Sequence, residues 1–258
     1  MSYLFGWFST GRDEAARELL QTAYDNMKNS FIPARIQYLF CNRNYGENLE
    51  SDLLLTLARN LGLKTITFSS KNFEPALRKK DMEEWRSRYH WKVIEMISPF
   101  QNDLIILAGY MLIVSPEMCN KFTIINLHPA APNGPAGTWQ EVIWKLIEQK
   151  ANETGVMMHL VTEVLDEGPP ITYCTFPIRG EKFDHLWEKG EKDNLFFLIR
   201  QEGVVRELPL IVFTLKTLAE GRVIIKDKKV LNPDGKEIGP YCLNKEIEEY
   251  LTLPNPPP

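Results

Sequence analysis

Three polar side chains in this sequence have types and spacing that suit chemistry together. Asn126 and His128 stand two apart in FTIINLHPAAPNGP, where the apolar, β-branched run from Phe122 to Ile125 ends in a proline-punctuated loop. Side chains two apart on a strand face the same way, so an amide and an imidazole placed there can address one substrate atom. Asp166 lies some forty residues on, in VTEVLDEGPPI, beside Gly168 and the turn-forming Pro169 and Pro170. A carboxylate next to an imidazole raises its affinity for a proton and holds the ring, while an amide donates to a developing oxyanion. Amide, imidazole and carboxylate together suit acyl-group transfer to a weakly nucleophilic amine. Taken singly, each has a plainer reading: His128 as a strand cap, Asn126 as a partner for loop backbone, Asp166 as an ordinary loop carboxylate.

The elements that must position these groups are legible in the hydrophobic pattern. YLFGWF at 3–8 precedes a one-faced helix marked by Ala16, Leu19, Leu20, Ala23, Tyr24 and Met27. The alternation repeats with RIQYLF at 35–40 before a helix over Glu50 to Leu61, and with KTITF at 64–68 before a helix over Asp81 to Ile97. DLIILAG at 103–109 and FTIIN at 122–126 are continuous apolar runs, as in strands covered on both faces. Trp139, Val142, Ile143, Leu146 and Ile147 mark the next helix. The expected fold is α/β: a mostly parallel, twisted, Rossmann-like sheet with helices on both faces, which binds ligands beyond the carboxyl ends of its strands. From Gly155 the pattern changes to two β-rich segments, VMMHLVT and PPITYCTFPI, flanking the EVLDEG loop. A long helix is predicted over 194–219, with Pro209 a candidate break. GRVIIKDKKVLNPDGKEI predicts a C-terminal β-hairpin, and LPNPPP an extended tail. The expected organisation is a catalytic domain over 1–222 with the hairpin and tail of 223–258 packed on it.

Composition narrows the partners. With 44% hydrophobic residues the chain can bury a large core, and a net charge of −4, from 30 Lys and Arg against 34 Asp and Glu, supplies no positive field for nucleic acid or an anionic membrane. Cys41, Cys119, Cys174 and Cys242 form no Cys-x-x-Cys pair, so they read as reduced and mostly buried. MSYLFGWFST lacks a basic leader, which sets the cytoplasm as the expected location. His90 and His185 read as surface histidines and His159 as a structural strand residue. Without His or Cys partners at ligand spacing, no metal is expected.

NLHPA at 126–130, preceded by LAGYMLIVSP at 107–116 and followed by HLVTEVLDEGPPI, resembles the folate-dependent formyltransferase family, in particular its glycinamide ribonucleotide branch. The similarity runs in collinear order over most of residues 1–222. It implies an α/β sheet enzyme that moves a formyl group from 10-formyltetrahydrofolate, a co-substrate, to the amine of glycinamide ribonucleotide in purine biosynthesis, as a monomer or homodimer. It makes Asn126, His128 and Asp166 the catalytic asparagine, histidine and aspartate. Met111, Leu112, Ile113 and Val114 would line the folate slot, and the backbone of Val161, Thr162, Glu163 and Val164 would read the pterin edge. Leu112 departs from the arginine of close relatives.

On the acceptor side, FSTGRDEAARELL turns through Gly11 into a helix N-terminus, whose N–H groups and dipole suit an anion. The resemblance places a phosphate at Ser9, Thr10, Gly11 and Arg12, and substrate contacts at Arg86 and Glu207. Yet Asp13, Glu14 and Ala15 replace the branch's Gly-Ser-Asn, and two carboxylates in a first turn oppose a phosphate. Rival readings are transfer to a different small amine, a formyltetrahydrofolate deformylase, and a non-catalytic nucleotide-fold binding protein. A nicotinamide oxidoreductase fits less well, since no Gly-x-Gly-x-x-Gly follows the first strand.

Overall fold

The computed structural model describes residues 2–253, so most of the proline-rich tail lies outside the described residues. The described residues divide into two compact units, one comprising residues 2–126 together with Leu160–Gly168, the other Leu127–His159 and residues 169–253.

The first unit alternates strand and helix as the hydrophobic pattern predicts. β1 (Tyr3–Ser9) leads into α1 (Glu14–Lys28), which starts at Asp13 because that side chain accepts the Ala16 N–H at 3.3 Å. β2 (Ala34–Cys41) is followed by α2 (Leu49–Asn60), capped by Asn48, and then by β3 (Lys64–Thr67). Two short helices frame the next pair: α3 (Pro75–Lys80) precedes α4 (Met82–Ile97), and α5 (Pro116–Lys121) follows β4 (Leu104–Leu107). β5 (Ile124–His128) closes the series and carries the chain into the second unit. All five strands are parallel, in the order β5-β4-β1-β2-β3. The chain steps outward from β1 to β3 and then returns to the other side of β1 for β4. That reversal makes the β1/β4 boundary a topological switch point, the kind of place at which open α/β sheets bind ligands.

Both faces of this sheet are covered. Phe8, Tyr38, Phe40, Ile105 and Leu107 share one apolar cluster with Trp85, Tyr89, Val93, Ile94 and Ile97 of α4. Their strand neighbours Trp7, Leu39 and Ile106, which point the opposite way, are also fully buried. His90 belongs to this core and not to the surface expected of it. It is 0% exposed, with Nδ1 3.0 Å from the Arg86 carbonyl and Nε2 3.5 Å from the Tyr110 hydroxyl. Periodicity around His90 is weak because α4 buries a broad face, which hides one imidazole among aromatics.

The second unit opens with α6 (Trp139–Glu148), whose start is fixed by a capping box between Thr138 and Glu141. β6 (Glu153–Leu160) pairs antiparallel with β7 (Pro170–Pro177), and α7 (Asp184–Lys189) leads into α8 (Lys192–Ala219). α8 runs unbroken through Pro209, because Leu195, Phe196 and Ile199 before the proline and Leu210, Ile211, Leu215 and Leu218 after it are all buried, and that burial offsets the lost hydrogen bond. The predicted hairpin forms as β8 (Ile224–Lys226) and β9 (Lys229–Leu231). Two elements beyond it were not legible in the sequence: β10 (Tyr241–Cys242), parallel to β7, and α9 (Asn244–Thr252). Among the described residues no helix is long and apolar enough to cross a membrane.

Candidate active site

The carboxyl ends of β1, β4 and β5 gather the candidate residues of the first unit. Asn126 is the register partner of Leu107, the last pair of the β4–β5 ladder. Beyond Leu107 the chain is irregular, and it lets side chains alternate in depth: Tyr110 and Val114 are buried, whereas Met111 and Ile113 are 52% and 43% exposed. Leu112 and Val161 are half-buried against the same apolar cluster that contains Val114. Leu112, Val114 and Val161 therefore meet in one apolar cluster, although 50 positions separate residues 111 and 161.

The segment Leu160–Gly168 is pinned at its start by the Val161 N–H donating to the Ile124 carbonyl at 2.8 Å. The Thr162 carbonyl accepts from the Cys119 thiol at 3.5 Å, and Asn120 Nδ2 donates to Glu163 Oε1 at 2.9 Å. Val164 and Leu165, 54% and 57% exposed, form its apolar crest. Asp166 follows with φ +58°, a left-handed conformation that aspartate adopts more readily than most side chains. Gly168 then passes so close to the Leu160 carbonyl that a Cβ would sit 1.7 Å from its oxygen. Only glycine closes this loop at that point.

At the corner expected to face the acceptor, the hydroxyl oxygens are already engaged. Ser9 and Thr10 are buried; Ser9 Oγ accepts the Gly11 N–H at 3.2 Å, and Thr10 Oγ1 accepts the Met111 N–H at 2.8 Å. Gly11 has φ +60°, and a Cβ there would lie 2.9 Å from Ser51 Cα, so helix packing alone explains the glycine. Arg12 is exposed, with Nη1 3.6 Å from Met111 Sδ and Nε 3.6 Å from Asp13. Arg86 lies half-buried on α4.

In the second unit, His128 ends β5 and is 4% exposed. Its Nε2 lies 3.4 Å from the Pro135 carbonyl, and a carbonyl only accepts, so this contact places a proton on Nε2. The loop from Pro129 to Thr138 supplies that carbonyl, and the capping box of α6 fixes its far end. His159, 2% exposed, sets its ring edge-on to His128 with centroids 5.8 Å apart. Spacing along the chain gave His128 no histidine neighbour; the fold gives it one 31 positions away, and no local signal announces it. Glu207 on α8 is 13% exposed and accepts from Arg200 Nη1 at 2.6 Å, while the Arg200 guanidinium stacks over Trp139 at 4.8 Å. The first unit offers a strand-end amide and a loop carboxylate and the second a buried imidazole with a proton on one nitrogen, group types that acyl transfer to an amine uses.

Comparison with known proteins agrees with this chemistry. The formyl transferase family matches residues 17–193, more than half of the chain. The phosphoribosylglycinamide formyltransferase of Schizosaccharomyces pombe is 32% identical over 180 residues, covering 66% of this chain and 83% of that protein. That of Haemophilus influenzae is 29% identical over 225 residues, covering 85% and 90%. Among solved structures, the phosphoribosylglycinamide formyltransferase of Coxiella burnetii has the same fold, with a TM-score of 0.69 at 17% identity over 94% of this chain and 99% of its own. With a strand-end asparagine and histidine, a following loop aspartate and a match that spans both units, the chain belongs to the formyl transferase family.

Proposed function

We propose that the chain transfers a formyl group from 10-formyltetrahydrofolate to the primary amine of glycinamide ribonucleotide. The observation that carries this reading is the set Asn126, His128 and Asp166 in a chain of the formyl transferase family, whose relatives bearing that activity in their names align over most of their length. The amine attacks the formyl carbon, and its lone pair forms the new C–N bond as the carbonyl π electrons move to oxygen. Asn126 Nδ2 and the protonated His128 donate to that oxyanion. Asp166 balances the imidazolium and passes the proton released by the amine to the leaving folate nitrogen, whose bond to the formyl carbon breaks as the carbonyl re-forms. Met111 and Ile113 at one edge and Val164 and Leu165 at the crest of the loop supply the exposed apolar surface that a flat pterin and its aryl tail need.

A second acceptor reading, formyl transfer to a different small amine, is favoured by one observation. Asp13 caps α1 with its own carboxylate and Glu14 follows in the first turn, so the helix dipole is already complemented where a phosphate would bind. Thermal shift with a non-transferable reduced-folate analogue, followed by turnover of 10-formyltetrahydrofolate with and without glycinamide ribonucleotide, separates these readings. Stabilisation and acceptor-dependent transfer support the first. Stabilisation with transfer only to another amine moves the acceptor, formate release without any amine marks a hydrolase, and no shift with any folate rejects the enzyme reading.

A further inference from the structure

We propose that Thr10 is a positioning residue for the exposed apolar segment Met111–Ile113, so that it acts on the folate side of the reaction and not on the acceptor. This rests on the reading of that segment as the folate wall. Residues 108–115 form neither strand nor helix, so their backbone N–H groups receive no regular partners and each must be satisfied individually. Two of them are satisfied from the end of β1. The Ala108 N–H donates to the Phe8 carbonyl at 2.9 Å as the last rung of the β1–β4 ladder. One step on, the Thr10 N–H donates to the Gly109 carbonyl at 3.0 Å, and the Thr10 hydroxyl oxygen accepts the Met111 N–H at 2.8 Å. A side-chain oxygen thus continues the ladder past the point where both strands have ended.

Nothing else about Thr10 suits it to ligand contact. It is 2% exposed, and its carbonyl accepts the Cys41 thiol at 3.7 Å, so all its polar heavy atoms face protein partners. On the other side of the Met111 amide, the Tyr110 ring is held edge-on by Phe8 at 5.5 Å, with its hydroxyl 3.5 Å from His90 Nε2. Held from both sides, the backbone at 110–111 keeps the Met111 side chain directed outward at the β1/β4 switch point. Such preorganisation lowers the ordering cost of binding a flat apolar ligand there.

The test compares Thr10→Val, which keeps the shape but loses the acceptor, with Thr10→Ser, which keeps the hydroxyl. Thr10→Val should raise the KM for 10-formyltetrahydrofolate, and the Kd for a reduced-folate analogue, on the order of tenfold, the consequence of leaving one partly buried N–H without its partner and the 110–111 backbone free to move. The acceptor KM should hold and kcat should stay within about twofold. Thr10→Ser should restore folate affinity. A raised acceptor KM with folate KM unchanged, no change in either, or equal damage from Thr10→Ser would each overturn the assignment. Amide exchange at Met111 without ligand reads the clamp separately: it should quicken in Thr10→Val and recover in Thr10→Ser. Wild-type protein that binds no reduced folate would sink the folate reading and the proposed role with it, while a Met111 amide that still responded would show the clamp itself to be real. If Thr10→Val does not fold, Thr10→Ala takes its place at the same amide.

Discussion

At the scale of single residues, the proposed chemistry divides the work between groups that differ in what they can donate. An asparagine amide is a donor that does not titrate, so it stabilises an oxyanion at any pH, whereas an imidazole offers one N–H when neutral and two when charged. Asn126→Ala should therefore lower kcat on the order of 10²–10³ while the Kd of a reduced-folate analogue stays near that of the wild type, measured by steady-state turnover and by titration. Wild-type rates in that variant would remove Asn126 from the mechanism. Asn126 and His128 were readable in the sequence because a strand period of two is independent of tertiary context. His159 was not, since its ring meets His128 only through the pairing of elements 31 positions apart.

At the scale of elements, the loop Leu160–Gly168 depends on its final glycine. A methyl group on Gly168 would collide with the Leu160 carbonyl, which is backbone and cannot swing aside. Gly168→Ala should displace Asp166 and cut kcat at least as far as removing its carboxylate by Asp166→Asn, with the loss of global stability confined to about 1–3 kcal/mol because the loop carries little core. Lost turnover with a Tm lowered by only a few degrees fits this; unchanged turnover contradicts it. The C-terminal α9 depends on a different device. Asn244 accepts the Thr175 N–H at 2.9 Å and donates to Thr175 Oγ1 at 3.2 Å, tying the helix start to β7. Asn244→Ala should cost about 1–2 kcal/mol in denaturant unfolding without altering turnover. β10 and α9 escaped the sequence reading because β10 is two residues long and α9 shows a single buried residue, Ile247, too little for any period to stand out.

At the scale of the whole molecule, stability carries a pH signature from His90. Burial drives its pKa down to about 4, with the Arg86 charge adding to that, while the hydrogen bond to the Arg86 carbonyl and the charge of Glu117 pull the other way. The unfolded chain takes up this proton near the ordinary histidine value of 6.5, whereas the folded chain resists it until about 4. Between those values unfolding binds protons, so His90 contributes stability that is complete above about pH 6.5 and is lost as the pH falls toward 4. The destabilisation caused by His90→Gln should accordingly be largest near neutral pH and shrink by on the order of 2 kcal/mol by pH 4.5, read from paired urea melts. A difference that holds constant across that range would show that His90 does not titrate as its burial implies.

The sequence by itself determined the strand–helix alternation, the parallel sheet and the amide–imidazole pair at a strand end, because hydrophobic period and turn residues act locally. It also announced the hairpin of β8 and β9. Tertiary structure alone decided three other matters: that His90 is core, that His128 has a second imidazole at its edge, and that the hydroxyls of Ser9 and Thr10 are spent inside the protein. Each depends on which surfaces meet after the sheet closes, and no periodicity along a chain encodes the partner of a buried polar atom.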